Sequence, residues 1–226
     1  STRSWTSSPS TGRVAPAGFG RFFKYLVRIG CGMSISEDGN GDDASPTQAV
    51  VLDYLPHGRS DDTRPQYQKD ALAYALTEDS FTLLELTLTD DADINIVDRV
   101  AVEPADDDEI DSLREIDYDE LTSSAESELE YAIEAIIDGD QQRFVDFYND
   151  AQPITLRLHQ LNLLPGIGKK LRNKIIDTRK RGPFEGFEDL SDRVGGLHRP
   201  KEVLIERIQE ELRDDDLKYK IFVRPE

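Results

Sequence analysis

The chain has 226 residues, of which 46 are acidic and 27 are basic, so its formal net charge at pH 7 is −19. The single cysteine, Cys31, excludes a disulfide framework and a thiolate zinc site within one chain, and the three histidines are scattered. No apolar run approaches the ~20 residues of a membrane-spanning helix, so we expect a cytoplasmic protein with no membrane partner. The sequence shows no Walker motif, GxGxxG motif or Ser-His-Asp spacing. We therefore expect a binding protein and not an enzyme.

Charge is distributed unevenly along the chain. Residues 1–32 contain five basic and no acidic residues, residues 33–150 carry a net charge of −27, and residues 151–226 carry a net charge of +3. Asp outnumbers Glu and Arg outnumbers Lys. This composition resembles that of proteins from salt-loving archaea, whose surface carboxylates keep the protein hydrated and self-repelling in a salt-rich cytoplasm. An ordinary acidic protein is the alternative interpretation.

Residues 1–45 are predicted to be a disordered or non-native N-terminal extension. The first 32 residues are basic and rich in Ser, Thr, Gly and Pro, and the chain becomes acidic after Met33, its only methionine. The sequence that begins at Met33 resembles an ordinary protein start. A basic arm that contacts nucleic acid is the alternative.

Residues 46–117 are predicted to form an acidic β-barrel-like domain. Short β-rich runs alternate with Asp-, Gly- and Pro-containing turns, which is typical of a small, strongly bent sheet or barrel. The runs are residues 49–55, 71–76, 81–88 and 94–102. Such a barrel would be similar to an oligonucleotide-binding fold, but its negative charge would repel phosphate. We do not assign it the primary binding surface.

Residues 118–152 are predicted to be a helical connector. Ser123 and Glu126 have capping-box spacing, and four apolar residues follow at helical spacing: Leu129, Ile133, Ile136 and Ile137. Residues 138–140 end this helix, and a second one covers residues 143–149. Its aromatic residues are interpreted as core residues and not as base-stacking platforms.

Residues 153–213 are predicted to form a helix-hairpin-helix domain. Ile154, Leu158, Leu161 and Leu164 have the spacing of one helical face. The sequence PGIG at residues 165–168 ends that helix, and a second helix is expected over residues 169–181. Its buried side would carry Ile167, Leu171 and Ile175.

The glycines of this bend predict a phosphate-binding site. Gly166 and Gly168 permit backbone angles and close approaches that a Cβ would block. Unpaired N–H groups would point outward at the start of the second helix, where the helix carries a partial positive charge. A phosphate can bind there without any side chain. No cofactor is expected, and a monovalent cation at the hairpin is an open alternative.

Seven cations surround the bend, with only Asp177 opposing them. A solvated basic helix face is the alternative explanation for such a cluster. The predicted nucleic-acid-binding residues are Gly166, Ile167, Gly168, Lys169, Lys170, Arg172, Lys174, Arg179, Lys180 and Arg181.

Residues 161–171, with the sequence LNLLPGIGKKL, resemble the helix-hairpin-helix of DNA- and RNA-binding modules. Residues 181–190 resemble the connector to a second hairpin, and residues 194–197 (VGGL) resemble a degenerate second turn. This turn lacks a paired-glycine nest, so we expect it to pack, with Arg199 and Lys201 as auxiliary contacts.

The order of these parts resembles an uncharacterised archaeal family of predicted RNA-binding proteins, in which an oligonucleotide-fold-like barrel precedes the hairpin. The runs that carry this resemblance are residues 51–56, 81–86, 118–122, 143–145 and 219–223. Within residues 214–226, the run 218–224 is predicted to be a C-terminal strand that returns to the barrel. The fold class expected is α+β.

The resemblance implies binding of structured RNA, with ribosomal RNA or a ribosomal particle as the partner and a role in the ribosome or its assembly. Two alternatives remain open. One is DNA binding in repair or replication, where such hairpins are widespread. The other is a protein-interaction adaptor that uses the acidic barrel.

Overall fold

The computed structural model of the protein describes residues 46–223 except 60–62, 66–67, 104 and 106–107. The extension predicted for residues 1–45 lies outside them. The described residues have a mixed α+β fold, as predicted, in which five antiparallel strands precede five α-helices. The strands are β1 (Thr47–Leu55), β2 (Ala71–Thr77), β3 (Leu83–Leu88), β4 (Arg99–Glu103) and β5 (Ile110–Glu115).

The sheet, in the order β4-β1-β2-β3-β5, curls into a half-barrel. Its register shifts in three strand pairs: β1 with β2, β1 with β4, and β3 with β5. Such irregularities bend a strand and increase its twist. One face of the sheet buries its own apolar cluster, which includes Val51, Ala73, Leu86 and Val100. The other face is covered by the helices.

The sequence predicted β1, β2 and β3 well and the other two strands poorly. Only the end of the run 94–102 is a strand, because residues 95–98 form a turn. β5 was not predicted at all. It is an edge strand in which only Ile110 is buried, so it lacks the alternation of apolar and polar residues that marks a strand.

Helix α1 (Ser123–Gly139) lies against β1. Its N-cap is Thr122, whose hydroxyl oxygen accepts a hydrogen bond from the Ala125 N–H at 3.1 Å. The same hydroxyl donates to the Asp53 carboxylate of β1. The predicted cap at Ser123 is therefore wrong by one residue, since the bond to Asp53 fixes Thr122 at the start of the helix.

The remaining helices are α2 (Gln141–Asp150), α3 (Lys169–Arg179), α4 (Phe187–Arg193) and α5 (Pro200–Arg213). The sheet and the helices share one hydrophobic core, to which Tyr74, Ile133, Phe144 and Leu204 contribute. Phe144 and Tyr148 are buried in this core, as predicted for the aromatic residues of α2. Among the described residues, no helix combines the length and apolar character needed to cross a membrane.

The α-helix predicted from Ile154 to Leu164 is wrong. Residues 154–157 form a bend, and a short 3₁₀ helix at Gln160–Leu163 follows it. Leu161 and Leu164 are buried as the spacing predicted, but Leu161 lies in the 3₁₀ helix and Leu164 directly follows it, so no α-helix buries them. The helix-hairpin-helix is thus reduced, at this site, to a 3₁₀ turn followed by α3.

The predicted C-terminal strand is also wrong. The chain does return to the core, since the Phe222 ring lies 5.1 Å from that of Phe147. The N–H groups of Ile221, Phe222 and Val223, however, all donate to the carboxylate of Glu211, at 2.8–3.0 Å. Main-chain donors bound to a carboxylate are not available to pair with a neighbouring strand.

Glu211 is fully buried and also accepts a hydrogen bond from Arg207 Nε at 2.7 Å. Replacing it in Glu211→Ala is expected to lower the free energy of unfolding by about 3–5 kcal/mol, because Arg207 would remain buried without this partner. Denaturant unfolding at fixed KCl measures the loss. The matched control is Glu210→Ala, which removes a half-exposed partner of Arg207 and should cost less than about 1 kcal/mol. Equal losses in the two variants would contradict the assigned role of Glu211.

Candidate nucleic-acid interface

Residues 164–168, which we call the glycine turn, connect the 3₁₀ helix to α3. The Ile167 N–H donates to the Leu164 carbonyl at 3.2 Å, and the Ile167 side chain is buried. Gly166 has a φ of +75°. In this left-handed region a side chain costs about 1–2 kcal/mol, so the turn requires glycine at this position.

Gly168 is different, because its φ of −77° and ψ of 175° are accessible to any residue. Within the described part of the chain, no atom beyond the two neighbouring residues lies within 4 Å of a Cβ built on Gly166 or Gly168. The prediction that both glycines have unusual backbone angles is therefore wrong for Gly168. The space beside both residues is open and can admit a ligand.

Main-chain donors without an acceptor lie next to this open space. Gly168 is the N-cap of α3 and supplies no capping side chain. The first α3 N–H with an acceptor is that of Arg172, which donates to the Gly168 carbonyl at 3.0 Å. In the part of the chain that the structure describes, the N–H groups of Lys169, Lys170 and Leu171 have no acceptor. They form a cluster of donors at the positive end of the helix.

Two side chains, Asn162 and Arg172, support the glycine turn through hydrogen bonds, and we call this pair the brace. Asn162 Nδ2 donates to the Ile167 carbonyl at 3.1 Å, and Arg172 Nη1 donates to Asn162 Oδ1 at 3.0 Å. The Arg172 guanidinium also binds Asn173. Arg172 therefore supports the turn, and its guanidinium is less available to contact a phosphate. Sequence reasoning missed Asn162, because an asparagine in a turn carries no distinctive spacing.

Two further predicted cations bind the protein's own carbonyl oxygens. Arg179 donates to the Tyr148 and Ala151 carbonyls, both at 2.9 Å, and joins α3 to the end of α2. Burial lowers the pKa of its guanidinium, although Asp150 acts in the opposite direction. Lys174 donates to the Gly195 carbonyl. Both side chains are thus engaged with the protein's own main chain, and their predicted contact with nucleic acid stays a prediction.

The other predicted cations lie at the surface. Lys180 forms an exposed ion pair with Asp177 at 2.8 Å. Lys169, Lys170 and Arg181 are exposed, and among the described residues their side chains have no hydrogen-bond or ion-pair partner. Lys169 and Lys170 remain available beside the unpaired donors, whereas Arg181 lies beyond the other end of α3, two residues after Arg179.

The glycine turn, Lys169 and Lys170 lie in a stretch without carboxylates. Residues 151–176, which we call the acid-free segment, contain no Asp or Glu. The whole chain averages about one carboxylate in five residues. A polyanion that approaches this segment meets cations and main-chain donors, and no carboxylate of the segment itself repels it.

Residues 194–197, the second turn, repeat the geometry of the glycine turn. The Leu197 N–H donates to the Val194 carbonyl at 3.1 Å, Gly196 has a φ of +99°, and Leu197 is buried. The helix that follows begins with Pro200, which has no N–H to offer. This fits the packing role predicted for the turn.

The auxiliary contacts predicted near the second turn differ in their availability. Lys201 Nζ lies 2.7 Å from Glu134 and 3.1 Å from Asp138, so two carboxylates already bind the side chain predicted as an auxiliary contact. Arg199 is exposed, and no side-chain partner for it is present in the described part of the chain.

These features define a class of protein in which an acidic half-barrel and a helical segment with a braced glycine turn share one core. The chain belongs to the family described as "Protein of unknown function (DUF655)", whose sequence profile matches residues 45–224. It is 40% identical over 178 residues to an uncharacterized protein of Methanocaldococcus jannaschii, covering 78% of this chain and 79% of the relative.

A solved structure of the same family has a similar fold. The crystal structure of Af1531 from Archaeoglobus fulgidus matches with a TM-score of 0.73 and 41% identity, over 79% of this chain and 99% of that one. The resemblance to an uncharacterised archaeal family is thus confirmed. RNA binding and a salt-loving host stay predictions.

The assignment of Arg179 to structure and of Arg181 to the surface can be tested by stability. Arg179→Ala is expected to lower the free energy of unfolding by about 1.5–3 kcal/mol, since it removes two charge-assisted hydrogen bonds that join α2 and α3. Arg181→Ala should change it by less than about 0.5 kcal/mol. Denaturant unfolding compares the two, and a larger loss in Arg181→Ala would reverse the assignment.

Proposed function

We propose that this protein binds structured RNA through the glycine turn and the first turn of α3. The observation that carries the proposal is the row of unpaired N–H groups from Lys169 to Leu171, which borders open space in the acid-free segment. Phosphate oxygens are acceptors that match such a row.

Binding in this proposal involves no chemical reaction. One backbone phosphate accepts hydrogen bonds from the N–H groups at the start of α3, and Lys169 and Lys170 contact neighbouring phosphates. Arg181, beyond the other end of α3, contacts a more distant phosphate. Contacts of this kind position a nucleic acid but do not read its sequence. The protein would therefore recognise the shape of a folded RNA.

The acidic half-barrel is unsuited to hold the polymer, although its five strands and curled shape support an oligonucleotide-fold-like description. Every basic side chain between residues 46 and 150 has a partner within the protein. Arg59 and Arg114 bind Glu85, Arg64 lies 3.5 Å from Asp70, and Arg99 binds Glu78. The other two, Lys69 and Arg143, bind main-chain carbonyls. The net negative charge of this half would repel the polymer and favour its binding at the glycine turn and the start of α3.

The choice of RNA over DNA rests on the resemblance described above, since phosphates at a helix N-terminus suit either polymer. A ribosomal particle in a salt-rich archaeal cytoplasm is the partner we favour. At about 1 M salt the Debye length is only ~3 Å, so direct amide contacts would outweigh long-range attraction.

Gly168→Asp tests the donor row without disturbing the fold. The introduced carboxylate is expected to cap α3 by accepting from the Lys170 or Leu171 N–H, which leaves stability unchanged or raised by up to about 1 kcal/mol. The same carboxylate would occupy the donors and repel phosphate. We expect RNA affinity to fall at least about tenfold, as measured by fluorescence anisotropy with a labelled stem-loop.

The matched control is Gly168→Ala, which fits the extended backbone and leaves the donors free. It should bind the stem-loop within about threefold of the parent protein. A DNA duplex of equal length, measured in parallel, separates the RNA and DNA alternatives. Undiminished RNA binding by a folded Gly168→Asp variant would contradict the proposed site.

A further inference from the structure

Residues 153–159, which we call the apex turn, hold a leucine entirely in solvent directly before the 3₁₀ helix. A β-bridge joins Pro153 to His159, and the N–H groups of Ile154 and Thr155 both donate to the Leu158 carbonyl, at 2.9 and 3.0 Å. Leu156 lies at the apex with a relative exposure of 107%, whereas the other exposed large hydrophobic residues of the described chain reach at most 64%. Such a side chain contributes nothing to the core.

Several hydrogen bonds fix the backbone of the apex turn. Thr155 Oγ1 accepts hydrogen bonds from the N–H groups of Arg157 and Leu158, at 3.2 and 3.0 Å. At the base, Gln152 and Gln160 exchange two further hydrogen bonds of 2.6 and 3.0 Å. A single exposed apolar residue is ordinary on a protein surface. A leucine presented by a bonded turn inside the acid-free segment is a more specific arrangement.

The base of the apex turn lies beside the proposed phosphate site. His159 Nδ1 accepts from the Leu161 N–H at 3.2 Å, and the next residue, Asn162, belongs to the brace of the glycine turn. Burial lowers the pKa of the His159 imidazole, as do the nearby charges of Arg179 and Arg172. The apex turn and the start of α3 are therefore neighbours.

We propose that Leu156 inserts beside an unpaired base in RNA whose flanking duplex is held at the start of α3. This inference rests on the function proposed above and specifies its substrate class as a stem interrupted by a bulge. Apolar side chains can act as wedges between base steps, and an unpaired base costs less to unstack than a paired one.

The surroundings of Leu156 favour a nucleic acid as the occupant over a protein. Arg157 is exposed, and its side chain has no partner among the described residues, so it can contact the phosphate beside the unstacked base. No carboxylate of the acid-free segment competes for it. RNA is recognised mainly at such unpaired positions, because the major groove of its duplex is too narrow for side chains to read.

The test compares two labelled RNA stem-loops that differ only by a single-nucleotide bulge. The parent protein is expected to bind the bulged RNA about tenfold more tightly, and Leu156→Ser should remove that preference while leaving affinity for the fully paired RNA unchanged. A 2-aminopurine at the bulge should change its fluorescence with the parent protein and not with Leu156→Ser. The control is Ile96→Ser, which changes an exposed apolar residue of the acidic half and should keep the preference.

The outcomes separate the two proposals. Equal affinity of the parent protein for the bulged and paired RNAs overturns the inference but leaves the proposed function standing, as does a bulge preference that survives in Leu156→Ser. The second result would leave a protein as the occupant of the apex turn. Failure of the parent protein to bind either RNA overturns the proposed function and the inference together.

Discussion

The proposed recognition of RNA depends on main-chain N–H groups that have no acceptor among the described residues. Gly168 offers no side chain to cap α3, so water or a ligand must pair the donors of its first turn. The surrounding structure keeps them in place, since Ile167 anchors the turn in the core and Asn162 ties it to Arg172. Donors that are already ordered lose little entropy when a phosphate binds, which favours affinity.

The distribution of charge favours the start of α3 over the acidic half-barrel as the proposed binding site. In the half-barrel, arginines serve to neutralise carboxylates in the fold. Burial would raise the pKa of Glu85, but hydrogen bonds from Arg114 and Arg59 lower it overall, so this partly buried carboxylate is held in its charged form. The cations of the helical half are divided differently. Some bind the protein's own carbonyl oxygens, whereas Lys169 and Lys170 remain exposed beside the donors. Basic residues thus neutralise carboxylates in the half-barrel, whereas in the helical half some of them remain available to a ligand.

The sequence predicted the features that arise from local patterns. β1, β2 and β3, the helices α1 to α3 and the burial of Ile167 and Ile175 all follow from periodicity or turn chemistry. The wrong predictions concern segments whose structure depends on contacts with residues distant in the sequence. The spacing of apolar residues over 154–164 suits an α-helix, yet a bend and a short 3₁₀ helix form there and still bury Leu161 and Leu164. The bonds of Arg179 to the end of α2 and of Glu211 to the C-terminal amides join segments that no local pattern relates.

The most direct measurement is an amide nuclear magnetic resonance titration of the full chain with a fully paired RNA stem-loop at high KCl. If the donors at the start of α3 bind phosphate, the amide signals of Gly168 to Leu171 will shift most, and those of the half-barrel will stay in place. Unmoved signals at these four residues, with shifts centred on the strands instead, would contradict the proposed site.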